Sequence, residues 1–216
     1  MHTAVLTRRP GAPALRVATG GAIGLLVIVA LLHVVKPELD PSWRFVSEYA
    51  VGRLGWLMTL GFLTWAASCL ALSVAARPFM TNARGRAGTR VLAIVGVALI
   101  VAGHFPQDPV TSTPDQATTA GMLHALASIV GIPGIPIAAM LIASGLSADR
   151  DNRTVRIAAH GTWISLALMI AYLAFAVPRA GGFDSSVYAG FMNRLVVVAY
   201  IVWQLVLARR LDRSVP

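Results

Sequence analysis

Residues 91–109 read VLAIVGVALIVAGHFPQDP, and this stretch decides the fold. Its first 13 residues carry no charge, and the run then ends in a histidine, an aspartate and two prolines. An apolar helix of about 20 residues crosses the hydrocarbon core of a bilayer, and proline disfavours continuation of a helix. The stretch therefore predicts the end of a membrane-spanning helix, followed by a polar turn at the membrane surface.

The composition of the whole chain supports this interpretation. The 216 residues are 56% hydrophobic and only 12% charged, whereas soluble proteins carry roughly 25% charged residues. The net charge of +9 would indicate a nucleic-acid-binding protein if the chain were soluble. Because the arginines lie between apolar runs, the charge instead indicates topology, and we expect no nucleic-acid partner.

Six segments are apolar enough to cross a membrane: 17–35, 56–76, 91–105, 119–146, 157–177 and 188–207. No closed set of alternating ten-residue strands is visible, so the prediction is an all-α bundle of six transmembrane helices. Residues 17–208 form a single predicted membrane domain between an N-terminal tail, 1–16, and a C-terminal tail, 209–216. The third span is short, and the fourth contains GIPGIP, whose prolines must leave backbone carbonyls for a neighbouring helix or water to satisfy.

The arginine distribution predicts the orientation. Thirteen of the 18 basic residues flank one side of the predicted spans, namely Arg8, Arg9, Arg16, Arg77, Arg84, Arg86, Arg90, Arg150, Arg153, Arg156, Arg209, Arg210 and Arg213. The positive-inside rule places this side, with both termini, in the cytoplasm.

The loop after the first span has the pattern of a short helix lying in the membrane interface. Asp40 and Pro41 are suited to a helix start. At helical spacing, one face is apolar and the other carries Arg44, Ser47 and Glu48, so we expect the latter to be solvated. Arg44 and Glu48 are four residues apart and should face each other.

Polar side chains gather at the predicted extracytoplasmic end of the spans: His33, Ser47, Glu48, His104, Asp108, His124 and Arg194. An ionisable group within a membrane segment is a candidate for function, because leaving it unpaired there is costly. Asp108 could simply shape the turn, and Arg194 could extend to the lipid headgroups or pair with Asp108 or Glu48. Our hypothesis is that Asp108 meets His124 and Arg194.

Four motifs carry a resemblance to a known family: SEYAVGRLGWLM at 47–58, FPQDP at 105–109, GMLH at 121–124 and GFMNRL at 190–195. In this order they resemble the bacterial membrane proteins catalogued as domain of unknown function 998, which look related to the Frag1/DRAM/Sfk1 group. The resemblance covers residues 17–208 and implies a six-helix bundle in a bacterial cytoplasmic membrane, with Ser47, Glu48, Asp108, His124 and Arg194 at its outer end. It implies no reaction.

Three functions fit this end, and whether the protein is an enzyme stays open. The first is a structural or lipid-headgroup-binding role without a cofactor, with membrane lipids as partners. The second is an intramembrane metal-dependent lipid hydrolase, resembling the alkaline-ceramidase-like superfamily, in which zinc would be held by His33, His104, His124 and Asp108. The third is a b-type haem protein, with haem between His33 and His124.

Self-association is a further open alternative. Gly20 and Gly24 form a GxxxG pattern in the first span, which suits close helix packing. The pattern could serve packing within the bundle or a homo-oligomer.

Overall fold

The computed structural model describes residues 12–147 and 152–214. Within these ranges the chain forms six long helices and no strand: α1, Ala12–Val35; α2, Gly55–Ala76; α3, Ala83–His104; α4, Thr119–Gly145; α5, Arg153–Ala180; and α6, Ala189–Asp212. All six helices are long and apolar enough to cross a membrane. The predicted all-α six-helix membrane bundle is therefore confirmed.

The helices run beyond the apolar segments of the sequence. Helix α3 begins at Ala83, eight residues before the predicted start of the third span, so the prediction of a short third helix is wrong. The Asn82 side chain accepts a hydrogen bond from Gly85 N at 2.9 Å and caps this start. Hydropathy marks the part of a helix suited to hydrocarbon, whereas capping decides where the helix begins. Of the predicted basic side, Arg8, Arg9 and Arg150 lie outside the described residues.

Neighbouring helices approach closely where a glycine lies at the contact. A Cβ atom on Gly85 of α3 would lie 2.6 Å from the Cα of Gly145 in α4. A Cβ on Gly21 of α1 would lie 2.3 Å from the Thr64 carbonyl oxygen in α2. Small residues allow such contacts between membrane helices. Gly20, in contrast, has open space beside it.

Helix α4 continues through two prolines, Pro133 and Pro136. Pro136 has no N–H to donate to the carbonyl four residues earlier, that of Ile132. The Tyr200 hydroxyl of α6 donates to this carbonyl oxygen at 2.7 Å. A neighbouring helix therefore supplies the hydrogen bond that the proline removes.

Replacing Tyr200 with phenylalanine should lower the free energy of unfolding by about 1 kcal/mol, since the Ile132 carbonyl loses its donor. Unfolding in detergent can be followed by maleimide labelling of Cys69, the single cysteine, which is buried. Pro136→Ala restores an N–H for the same carbonyl. The loss caused by Tyr200→Phe should therefore shrink in a Pro136→Ala background, and an equal loss in both backgrounds would refute the pairing.

Candidate functional site: the cap end and the chamber beneath it

Residues 36–54, here called the cap segment, connect α1 to α2 and cover one end of the bundle, the cap end. The predicted short helix after the first span is present only as a five-residue 3-10 helix, Val46–Ala50. The predicted start at Asp40 and Pro41 is wrong, because the Asp40 carboxylate accepts from Ser42 N and shapes a turn there. The prediction that Glu48 lies on a solvated face is wrong, because its side chain is only 1% exposed. Tyr49 beside it is fully buried.

The buried Glu48 carboxylate is satisfied by three partners. It accepts hydrogen bonds from Phe45 N at 2.7 Å and from Val110 N at 2.9 Å. It also forms an ion pair with Arg44 at 2.9 Å, which confirms the predicted pairing. A buried carboxylate requires such partners because desolvation otherwise makes it costly. Through Val110, the carboxylate ties the cap segment to the loop that follows α3.

Lys36 fastens the cap segment to the end of α1. The Lys36 ammonium donates to the Tyr49 carbonyl oxygen at 3.1 Å and to the Val51 carbonyl oxygen. Burial lowers the pKa of Lys36, and the nearby Glu38 charge partly opposes this shift. The Tyr49 hydroxyl donates to the Leu39 carbonyl oxygen at 2.9 Å. The cap segment is thus bonded internally as well as to the helices.

Arg194 of α6 joins α1, α6 and the cap segment. Its guanidinium donates to His33 Nε2 at 2.9 Å and to the Arg44 carbonyl oxygen at 2.8 Å. It also donates to the Gly190 carbonyl oxygen at 3.0 Å and to the Tyr49 hydroxyl at 3.3 Å. These partners use most of the five N–H donors of the group.

His33 is fixed in one tautomer by its two contacts. Its Nδ1 lies 2.5 Å from the Val29 carbonyl oxygen and must donate to it. Its Nε2 is therefore the acceptor for the Arg194 N–H. Arg194 is not bonded to Asp108 or Glu48 among the described residues, so the predicted ion pair is absent there.

The cap segment sits directly on the first turn of α6. Phe191 N donates to the Ser42 carbonyl oxygen at 2.8 Å, and Val46 N donates to Asn193 Oδ1 at 3.1 Å. A Cβ on Gly190 would lie 2.4 Å from the Arg44 carbonyl oxygen. The glycine of the GFMNRL motif therefore leaves room for the cap segment.

Asp108 acts on the start of α4 rather than on Arg194. Its carboxylate accepts from Thr118 N at 2.9 Å and from the Thr118 hydroxyl at 2.7 Å. A Cβ on Gly121 would lie 2.0 Å from Asp108 Oδ2, so the carboxylate packs against that glycine. Within the described ranges, no hydrogen bond joins Asp108 to His124 or Arg194. The hypothesis that these three side chains meet through Asp108 is thus wrong for this structure, and the turn-shaping alternative fits.

Asp108→Asn should destabilise the protein at neutral pH and have little effect in acid. The Thr118 backbone N–H, and then its hydroxyl, lower the pKa of Asp108 below its ordinary value. Such a carboxylate stabilises the fold above the unfolded-state pKa of about 4, and this contribution is lost as pH falls through the folded-state pKa. The melting temperatures of wild type and variant, followed by tryptophan fluorescence, should differ at about pH 7, and the difference should vanish as the pH falls through the folded-state pKa of Asp108. A constant difference would contradict this assignment.

His124 is a buried histidine, 3% exposed, in the second turn of α4. Its Nδ1 lies 2.9 Å from both the Ala102 and the Phe105 carbonyl oxygens at the end of α3. One Nδ1–H shared between these carbonyls satisfies the helix end. The Nε2 atom is then an acceptor, and no described protein group donates to it. Its ring packs edge-on against Phe62, with 5.7 Å between the ring centroids.

Beneath the cap segment, residues from all six helices line a partly open chamber of about 80 Å³. Its walls are mainly apolar, and the described residues that line it include no Lys, Arg, Asp or Glu. The lining residues with side-chain N or O atoms are Ser47, Trp65, His124, Ser128, Asn193 and Tyr200. The indole N–H of Trp65, itself buried, has no acceptor. The chamber is therefore lined by His124, whose Nε2 has no donor among the described residues, and by Trp65, whose indole N–H has no acceptor among them.

The residues predicted as zinc ligands do not fit a metal site. In the described part of the chain, no three His, Cys, Asp or Glu side chains are grouped so that they could hold a metal ion. His33 Nε2 is bonded to Arg194, Asp108 is bonded to Thr118, and His104 is exposed at the end of α3. The haem hypothesis fails on the same atom, since His33 Nε2 would have to ligate iron. We therefore derive no chemistry through zinc or haem.

The sequence interpretation did not single out Trp65, Tyr200 or Lys36. Tryptophan and tyrosine within apolar runs resemble ordinary packing residues, and only the three-dimensional structure reveals an unpaired indole N–H. One sequence signal could have pointed to Tyr200. The prolines of GIPGIP leave a backbone carbonyl without its usual donor, so a side chain on a neighbouring helix is needed to supply one. Lys36 resembled a residue that merely borders a span.

Comparison with known proteins supports the motifs described above. The family model described as protein of unknown function (DUF998) matches residues 3–210, nearly the whole chain. No curated protein and no solved structure matches the chain. The relation to the Frag1/DRAM/Sfk1 group stays a prediction. The four motifs of the resemblance all contribute residues to the cap end, and the chain belongs to the DUF998 family of proteins of unknown function.

Proposed function

We propose that the protein is a lipid-binding membrane protein that holds part of an amphiphile in the chamber beneath the cap segment, without catalysing a reaction. The observation that carries this proposal is the chamber itself. A mainly apolar space lies inside a membrane bundle, and His124 at its wall presents an unpaired acceptor. Ligand sites have this character, with apolar walls and a few placed polar groups.

The ligand enters from the bilayer beside helix α5. Its buried residues are Val155, Ala159, Thr162, Leu166 and Met169. Met169 lines the chamber and is the buried α5 residue nearest the cap end. Beyond it, α5 packs less deeply against the bundle, while Leu126 and Ile129 of α4 are 61% and 68% exposed. A hydrocarbon chain in the adjoining leaflet could therefore enter sideways between α4 and α5.

The cap end faces the outside in this proposal, because most arginines border the opposite end. A cysteine at Arg53, which is exposed in the cap segment, should react with a membrane-impermeant maleimide in intact cells. Cys69 is buried and serves as the internal negative control. Labelling of Arg53→Cys only after the cells are opened would reverse the orientation and place the ligand in the inner leaflet.

The binding proposal is tested by photolabelling in nanodiscs. A long-chain alcohol with a diazirine in its alkyl chain, an uncharged single-chain amphiphile, should label peptides that line the chamber. Gly131 lines the chamber, is buried, and has open space at its Cβ position, so Gly131→Leu should fill the chamber and remove that label. Gly20→Leu adds the same side chain at an exposed glycine with open space outside the chamber, and should leave the label unchanged.

Labelling confined to membrane-facing residues such as Ile129 and Leu126, and equal in both leucine variants, would refute the proposal. Folding of each variant is checked by protection of Cys69 from maleimide. A variant that loses this protection is replaced by Gly131→Val, which adds less volume.

A further inference from the structure

We propose that the chamber selects an uncharged lipid bearing a hydroxyl group, and that this hydroxyl donates to Nε2 of His124. This inference rests on the proposed lipid-binding function and names the chemical class of its ligand. Recognition of this kind differs from the binding of an anionic lipid headgroup by Arg194.

The hydrogen bonds of His124 determine which group it can receive. The two α3 carbonyl oxygens, 2.9 Å from Nδ1, require a proton on that nitrogen. Among the described residues, the lining of the chamber includes no carboxylate that could accept a hydrogen bond from Nε2. The neutral tautomer with an acceptor at Nε2 therefore fits the site, and the ligand must supply a donor. An ester carbonyl or an ether oxygen has none.

The charge of the surroundings excludes an anion inside the chamber. Within residues 12–147 and 152–214, no basic side chain lines it. Arg194 follows the lining residue Asn193 in sequence, but its guanidinium already donates hydrogen bonds to His33, Tyr49 and two carbonyl oxygens. Transfer of a phosphate or carboxylate into this space would leave the anion without a cationic partner. A hydroxyl is polar enough to use His124 and is also neutral.

The wall around His124 suits the hydrocarbon part of such a ligand. Phe62 lies edge-on to the imidazole, and Ala127 and Leu99 are buried nearby in the lining. Trp65 is one helical turn from Phe62 on α2 and carries the unpaired indole N–H. With a volume of about 80 Å³, the chamber admits the hydroxyl end of a slender chain rather than a bulky headgroup.

The test is competition against the diazirine alcohol in nanodiscs with 1-dodecanol, its methyl ether and dodecanoate. For wild type, dodecanol should displace the chamber label at about one-tenth of the methyl ether concentration, because only the alcohol has a donor. Dodecanoate should compete no better than the ether. In His124→Asn the amide nitrogen can replace Nδ1–H while the Nε2 acceptor is lost, so the alcohol-to-ether ratio should fall towards one.

His104→Asn, at an exposed histidine outside the chamber, is the matched control and should keep the wild-type ratio. The ratio between variants also cancels differences in how the probes partition into lipid. Chamber labelling that the alcohol and the ether displace equally in wild type overturns this inference alone. The same wild-type comparison decides the matter if His124→Asn does not fold. Absence of any chamber labelling overturns the proposed lipid binding as well.

Discussion

Arg194→Ala should lower the free energy of unfolding by roughly 2–4 kcal/mol, since it removes several charge-assisted hydrogen bonds and leaves buried acceptors unpaired. His33 Nε2 and the Arg44 carbonyl oxygen lose their donor. Because these groups belong to α1, α6 and the cap segment, the loss should loosen the whole cap end. Cys69 labelling during heating in detergent measures the effect.

Arg53→Ala is the matched control for this experiment. Arg53 belongs to the same cap segment but is exposed, and surface substitutions usually change stability by less than about 0.5 kcal/mol. Arg194→Lys should not rescue stability, because an ammonium cannot reproduce the planar fork that reaches His33, Tyr49 and Arg44 together. Equal stability of Arg194→Ala and Arg53→Ala would show that Arg194 does not anchor the cap segment.

Gly190→Ala should displace the cap segment although it adds only one carbon atom. That carbon would lie 2.4 Å from the Arg44 carbonyl oxygen and 2.6 Å from the Pro41 carbonyl oxygen. Both neighbours are backbone atoms, so a side-chain rotation cannot relieve the overlap. Overpacking of this kind costs about 1–3 kcal/mol, and the Phe191–Ser42 hydrogen bond at 2.8 Å should weaken with it.

Gly20→Ala is the control, because a helical glycine with open space beside it should tolerate alanine or gain slightly from higher helix propensity. Proteolysis provides a second readout of the displaced cap segment. Trypsin should cleave after Arg44, whose side chain is 15% exposed, faster in Gly190→Ala than in Gly20→Ala. Identical cleavage and melting of both variants would contradict the close seating of the cap segment on α6.

The number of membrane-spanning helices could be predicted from the sequence because each helix contains a long apolar run. The ends of the helices could not be predicted in this way, because capping residues such as Asn82 lie outside the apolar run. The cap segment was the hardest to predict. Glu48 occurs in an amphipathic pattern that favours solvent, yet backbone N–H groups from Phe45 and Val110 make its burial tolerable. Those partners, one of them 62 residues away in sequence, are invisible to a local pattern.

The structure places the polar residues that the sequence grouped together near one end of the bundle, but with different hydrogen-bond partners. The sequence grouped His33, Asp108, His124 and Arg194 at one end, and all four contribute to the cap end or its first helical turns. Complementary charge suggested that Arg194 would meet Asp108. The structure instead pairs Arg194 with His33 and Asp108 with Thr118. Helix ends and loops provide backbone hydrogen-bonding groups, and the positions of these groups cannot be read from the residue types.

A second buried polar cluster joins α1, α2 and α6 away from the cap end. Ser68 Oγ lies 2.7 Å from the Ala18 carbonyl oxygen and 2.8 Å from the Gln204 amide. Gln204 also contacts Cys69 Sγ at 3.4 Å. All three side chains are at most 1% exposed, and their polar atoms have partners within the cluster. The chamber differs because His124 keeps a free acceptor.

Native mass spectrometry of the protein released from its own membranes tests the central claim most directly. We predict that part of the wild-type protein retains a lipid-sized mass. This mass should be lost in Gly131→Leu and retained in Gly20→Leu. Fragmentation of the retained molecule should reveal an uncharged lipid with a free hydroxyl group. Wild-type protein that carries no lipid mass under the mildest release conditions, or a mass retained equally by Gly131→Leu, would contradict the existence of a ligand-binding chamber.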